Sequence, residues 1–208
     1  MVKTAESLIN ELKKAGFKYI DINDLFKQKE LPKEAVDIIL KWFPEVYKDH
    51  LGSGDHLVRS LISAKDPFDP AALISFFESN IYNHTVMWGI AHVLATANTI
   101  DISEWIKDQL LKEVKSFERA GLVRGLFYKG NFKSNNDLRR FLKLIFDKYP
   151  LEVLELFKKV GTKDDITFLE QKAKNSDKKL SREIEKIIAF ITKKVERENK
   201  RKPQKSKK

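Results

Sequence analysis

The segment Asp164–Ile191, DDITFLEQKAKNSDKKLSREIEKIIAFI, constrains this chain more than any other, because it spells one complete helical hairpin. Ile166, Leu169 and, more weakly, Ala173 mark the apolar stripe of a first helix. Asn175-Ser176-Asp177 is a short polar break, after which Leu180, Ile184, Ile187 and Ile188 recur at the helical period on a second helix. A hairpin this small cannot bury its own stripes, so neighbouring hairpins must cover them.

Further pairs are legible from Leu31 onward. Pro32 stands at a natural first helical position, followed by Ala35, Ile38, Ile39, Trp42 and Phe43, with Pro44 just beyond. Gly52-Ser53-Gly54 is expected as the break before a partner helix from about Asp55 that holds Leu57, Val58, Leu61 and Ile62. Asp69-Pro70 opens the next pair, with Leu73, Ile74, Phe76 and Phe77, and its partner is Val86–Ala97. A third pair begins at Asp101 or Ser103 (Trp105, Ile106, Leu110, Leu111) and returns through Arg119–Tyr128. A fourth uses Leu138, Phe141, Leu142, Ile145 and Phe146, then returns after Pro150 through Val153, Leu156, Phe157 and Val160, and Gly161 ends it. First helices start near 32, 70, 101, 135 and 163, an irregular period that still fits two short helices and their turns.

Three of the second helices superpose. Four residues beyond Val58, Val86 and Leu180 stand Ile62, Ile90 and Ile184, and Val93-Leu94 and Ile187-Ile188 follow in the two longer ones. This pattern resembles HEAT repeats, with the best fit at Asp164–Ile191. Arg59 after Val58 matches the Val-Arg pair of that repeat, whereas Met87 and Ser181 occupy the equivalent slot elsewhere. LPKEAVDIILKWFPEV, HLVRSLIS and MWGIAHVLA are also similar to a group of uncharacterised bacterial HEAT-repeat proteins, over roughly residues 31–194. The resemblance implies an all-α, right-handed α-α superhelix of about five hairpins and a scaffold role, and brings no catalytic residue with it. Residues 1–30 read as an N-terminal capping helix pair (Leu8, Ile9, Leu12, Ala15, then Leu25 and Phe26), and 195–208 as a basic tail expected to be disordered.

Composition narrows the chemistry. The absence of cysteine excludes disulfides, thiolate metal ligands and thiol nucleophiles. The charged start MVKTAESLINELKKAG is not a secretory leader, and the uncharged window from Ser79 to Ile100 is broken by Asn80, Asn83, His84, His92 and Asn98. The expectation is a soluble, cytoplasmic, monomeric protein. His84 and His92 are eight residues apart, too far for one metal without a third ligand, and the Asp49-His50 and Asp55-His56 doublets form no ligand motif, so no metal and no cofactor are expected. Gly121, Gly125 and Gly130 lack the Gly-Lys-Ser/Thr of a phosphate loop and read as close helix packing. Trp88, Trp105, Asp101 and Asp108 allow an analogy, at the level of the fold, with HEAT-like DNA glycosylases that hold an extruded nucleotide between aromatics and a carboxylate. Trp105 on its apolar stripe is more simply core.

Charge supplies the remaining signal. Of the net +10, six charges lie in the last ten residues, NKRKPQKSKK, which include Lys200, Arg201 and Lys202. A second concentration comprises Arg119, Arg124, Lys129, Lys133, Arg139, Arg140 and Lys143, with Asp137 the lone acid and Phe127, Tyr128 and Phe132 interleaved. Such residues can track a phosphate backbone and stack on bases. The leading expectation is a non-enzymatic scaffold that holds a protein partner on its concave face. The alternative is a nucleic-acid-binding solenoid that uses these cations and the tail.

Overall fold

A computed structural model describes residues 3–49, 51–79, 81, 83–113 and 116–201. Among them every regular element is helical and none is a strand. No helix there is long and apolar enough to cross a membrane. The chain divides into two compact units, Met1–Asn131 and Phe132–Lys208.

The first unit opens with α1 (Lys3–Lys14), α2 (Ile22–Phe26), α3 (Lys33–Asp49) and α4 (Leu51–Ser60). It continues through α5 (Ala71–Ser79), α6 (His84–Thr96), α7 (Ser103–Leu111), α8 (Phe117–Ala120) and α9 (Gly125–Lys129). Helices near in sequence are near in space: α1 lies on α3, α2 on α4, α3 on α4, and α4 on α6. Residues 3–30 are thereby built into this unit through Leu8, Leu12 and Leu25, which are fully buried.

At the centre is α6, packed against α4, α5, α8 and α9. Val86, Ile90, Val93 and Leu94 are buried as their spacing implies, and Met87, Gly89, Ala91 and Ala95 are buried as well. A helix enclosed on several sides needs small residues where backbones approach. A methyl at Gly89 would lie 3.1 Å from Asp55 Oδ1, and one at Gly125 would lie 3.1 Å from the Ala95 Cα. The α6 N-terminus is capped by Asn83, whose Oδ1 accepts the Val86 amide at 2.9 Å.

The linkers pair in sequence. Leu31 donates its amide to the Ser63 carbonyl and accepts from Lys65, at 2.7 and 2.9 Å. Phe68 does the same with Asn98 and Ile100, at 3.2 and 3.0 Å. These are parallel bridges, Leu31 with Ala64 and Phe68 with Thr99, and Leu31 and Phe68 are buried beneath them.

Three local features differ from the sequence reading. The helix expected to stop before Pro44 runs through it to Asp49, because Phe43 and Val46 on either side are buried and packing outweighs the lost hydrogen bond. Gly52-Ser53-Gly54 is not a break but the first turns of α4. A methyl at Gly54 would lie 3.0 Å from the Tyr47 Cα, so the glycine permits a close crossing. The return expected as one helix over Arg119–Tyr128 is split into α8 and α9 by a turn at 121–124.

The second unit holds α10 (Asn135–Ile145), α11 (Pro150–Val160), α12 (Ile166–Lys174) and α13 (Lys178–Arg201). Ser134 caps α10 through the Asp137 amide, and Pro150 is the first residue of α11 rather than its predecessor. α11 packs on α10 and α13, and α12 on α13. Leu169, Ile184, Ile187 and Ile191 are buried, whereas Ile166, Leu180 and Ile188 are half-buried. α13 continues through 195–201, where fraying was expected, and residues 202–208 lie outside the described residues.

Candidate functional site

The basic concentration between Arg119 and Lys143 straddles the two units. In the second unit, two of its members are engaged by one carboxylate. Asp165 is 1% exposed, with Oδ2 3.1 Å from Arg139 Nε and Oδ1 2.8 Å from Lys143 Nζ. The same Oδ2 accepts the Thr162 amide at 2.9 Å, closing a capping box. Arg139 reaches further, to Asn136 Oδ1 at 3.2 Å. These cations hold the turn between α11 and α12. Arg140 is exposed beside Asp137 at 3.8 Å, and Lys133 is exposed before α10.

In the first unit Lys129 is half-buried. Its Nζ donates to Thr99 Oγ1 at 2.8 Å and to the Leu94 carbonyl near the end of α6 at 3.2 Å. Burial pushes its pKa from 10.5 down to about 8, partly opposed by Asp101. Arg119 is half-buried on α8, and Arg124 is exposed in the turn before α9. Lys200 and Arg201 fall on the last turn of α13, and Lys202 lies outside the described residues.

Arg124 is one of the charges that act on His92. Trp88 and His92 stand four residues apart on α6, with ring centroids 5.2 Å apart. From α4, the Arg59 guanidinium lies over the Trp88 ring at 5.0 Å. Arg59 is fixed by Asp55, which accepts its Nε at 2.8 and 2.9 Å. His92 has its pKa lowered by burial first, then by the charges of Arg124 and Arg59. Its Nδ1 is buried with no protein hydrogen-bond partner among the described residues. α4 and α6 thus place the Arg59 guanidinium over the Trp88 indole, with the His92 imidazole beside it. The sequence signal was Trp88 and His92 at i and i+4, beside the Val58-Arg59 pair.

The other aromatic and acidic candidates serve local structure. Trp105 donates its Nε1 to Glu78 at 3.0 Å and meets Phe77 edge-on at 5.7 Å. Asp101 accepts the Ser103 amide at 2.8 Å at the start of α7, and Asp108 is exposed on that helix. His56 stacks on Phe26, and His84 hydrogen-bonds Glu118 through Nδ1. His50 lies outside the described residues. Among those residues, no three His, Asp or Glu side chains gather as metal ligands would. No family model, no curated protein and no solved structure matches the chain.

Proposed function

We propose that the chain is a non-enzymatic helical-repeat scaffold of the HEAT type, and that the partner it holds is a nucleic acid. Support for the repeat reading comes from neighbour-on-neighbour packing within each unit and from the successive linker bridges at Leu31 and Phe68. The partner reading is carried by one observation: the Arg59 guanidinium over the Trp88 ring, 5.0 Å from its centroid. A cation over an aromatic ring suits a phosphate backbone and its bases. Asp55 accepts from Arg59 Nε, which orients the guanidinium over the ring. Lys200, Arg201 and Lys202 would add charge without specificity.

Fluorescence anisotropy with labelled single- and double-stranded DNA and RNA tests this. Affinity is expected to fall steeply between about 50 and 200 mM salt, and Arg124→Ala to reduce the salt slope by about 1. Trp88→Ala should cost about 1–3 kcal/mol and Trp88→Phe less. No binding at the lowest salt, or an unchanged Arg124→Ala, overturns the reading.

A protein partner is the second reading, favoured by Leu144 on α10 and Leu151 on α11, which are 68% and 52% exposed. Capture that survives nuclease, persists in a chain ending at Lys194 and is lost in Leu144→Asp/Leu151→Asp would select it.

A further inference from the structure

Ring and guanidinium contacts link α2, α4 and α6, which follow one another in the first unit because α4 packs against both of the others. At the junction of α2 and α4, Phe26 and His56 are stacked, with centroids 5.4 Å apart and planes 20° from parallel. Phe26 is 48% exposed and His56 is exposed too, so this pair presents ring surface to solvent. At the junction of α4 and α6 stands the Arg59–Trp88 pair, continued along α6 by His92. His56 and Arg59 are three residues apart on α4 and therefore share a face of that helix. The two junctions lie side by side, over two helix-to-helix steps that together span on the order of 20 Å.

The acids nearest to these rings in sequence are engaged locally. Asp55 accepts from Arg59, Asp21 and Asp24 accept the Asp24 and Ile20 amides at 3.0 and 2.9 Å, and Glu30 pairs with Lys65 at 3.7 Å. Lys27, next to Phe26, is exposed. A duplex keeps the faces of its bases inside the stack and presents mainly phosphates. An unpaired strand offers those faces, and each base stacked on an aromatic ring contributes about 1–3 kcal/mol. Rings spaced along a surface fit the second kind of partner better than the first.

We propose that this surface is a track for a single-stranded nucleic acid, whose bases stack on the Phe26–His56 pair and on the Arg59–Trp88 pair while Lys27 lies beside the backbone. The inference rests on the nucleic-acid reading above and narrows it to an unpaired strand. It also extends the site from one ring to two junctions, so Phe26 and His56 become binding residues. Contacts to base faces are tolerant of sequence, since every base has one. Preference for single strand over duplex is therefore the signature of the track.

Fluorescence anisotropy of the full chain with a labelled oligo-dT strand of about 20 nucleotides, and with the same strand annealed to oligo-dA, tests the proposal at about 50 mM salt. The single strand is expected to bind about tenfold or more tightly than the duplex. Phe26→Ala and His56→Ala, both at exposed positions, should each weaken strand binding about fivefold or more while helical content stays unchanged, and Phe26→Trp should restore it. Equal binding of strand and duplex, or strand binding indifferent to Phe26→Ala and His56→Ala, overturns the track and leaves the broader nucleic-acid reading standing. Binding of neither form overturns both.

Discussion

Arg139 Nε sits 3.1 Å from Oδ2 of Asp165, a carboxylate that is 1% exposed and shared with Lys143. This relationship converts part of an apparent surface patch into internal structure. A buried carboxylate between two cations is costly to form and costlier to break, because removing one member strands the others. Asp165→Ala should therefore destabilise the fold by about 3 kcal/mol in urea denaturation, whereas Arg140→Ala at its exposed site should change it by less than about 0.5 kcal/mol. Equal effects of the two substitutions would refute the distinction.

Gly161 closes α11 where α13 passes. A methyl there would lie 2.7 Å from Ile191 Cδ1 and would also meet the Phe157 carbonyl oxygen. Gly161→Ala is expected to cost about 1–3 kcal/mol by overpacking, and the double substitution Gly161→Ala/Ile191→Val should recover part of that. Thermal denaturation of the two variants is the measurement.

Lys129 gives a signature at alkaline pH. Its pKa falls from 10.5 to about 8 in the folded chain because burial disfavours the ammonium. Between those values the unfolded chain holds a proton that the folded chain has released, so raising the pH stabilises the fold. The melting temperature relative to Lys129→Met should rise across this window and stay level below it. Reductive ¹³C-methylation should also show one lysine resonance titrating well below the rest, absent from Lys129→Met.

On the acid side His92 contributes in the opposite direction. Burial and two arginines lower its folded pKa below 6.5. As the pH falls below that value, the unfolded chain takes up a proton that the folded chain resists, and stability is lost. Histidine NMR titrations should place His92 below the ordinary range, and His92→Leu should flatten the stability profile just below pH 6.5. An imidazole that titrates in the ordinary range would contradict the burial that lowers the His92 pKa.

Asn83→Ala should cost about 1 kcal/mol by uncapping α6, and Asn83→Ser much less. Because α6 touches four other helices, the loss should appear as a lowered melting temperature of the whole first unit rather than as local fraying.

The sequence was most informative where one helix face meets one neighbour. The stripe Leu138, Leu142 and Ile145 on α10 is buried as spaced, and Asp69, read as a cap, accepts the Ala71 amide at 2.9 Å at the start of α5. It misled at Pro44 and at Gly52–Gly54, residues that ordinarily interrupt helices. There the burial of Phe43 and Val46 and the contact of Gly54 with Tyr47 override local preference. The basic concentration misled for another reason, since adjacency in sequence says nothing of which carboxylate or carbonyl each cation will meet. Of its seven members, Arg139 and Lys143 turn inward to Asp165, and Lys129 turns to Thr99 and Leu94.

Helical hairpins, their caps and the aliphatic stripes were therefore set by the chain itself, because a period of 3.6 residues and a capping hydrogen bond act within a few positions. Which charges remain available to a partner was decided only on folding. The groups that claim Lys129 stand 30 and 35 residues away, and Coulombic and hydrogen-bond energies depend on separation in space, which no local pattern encodes.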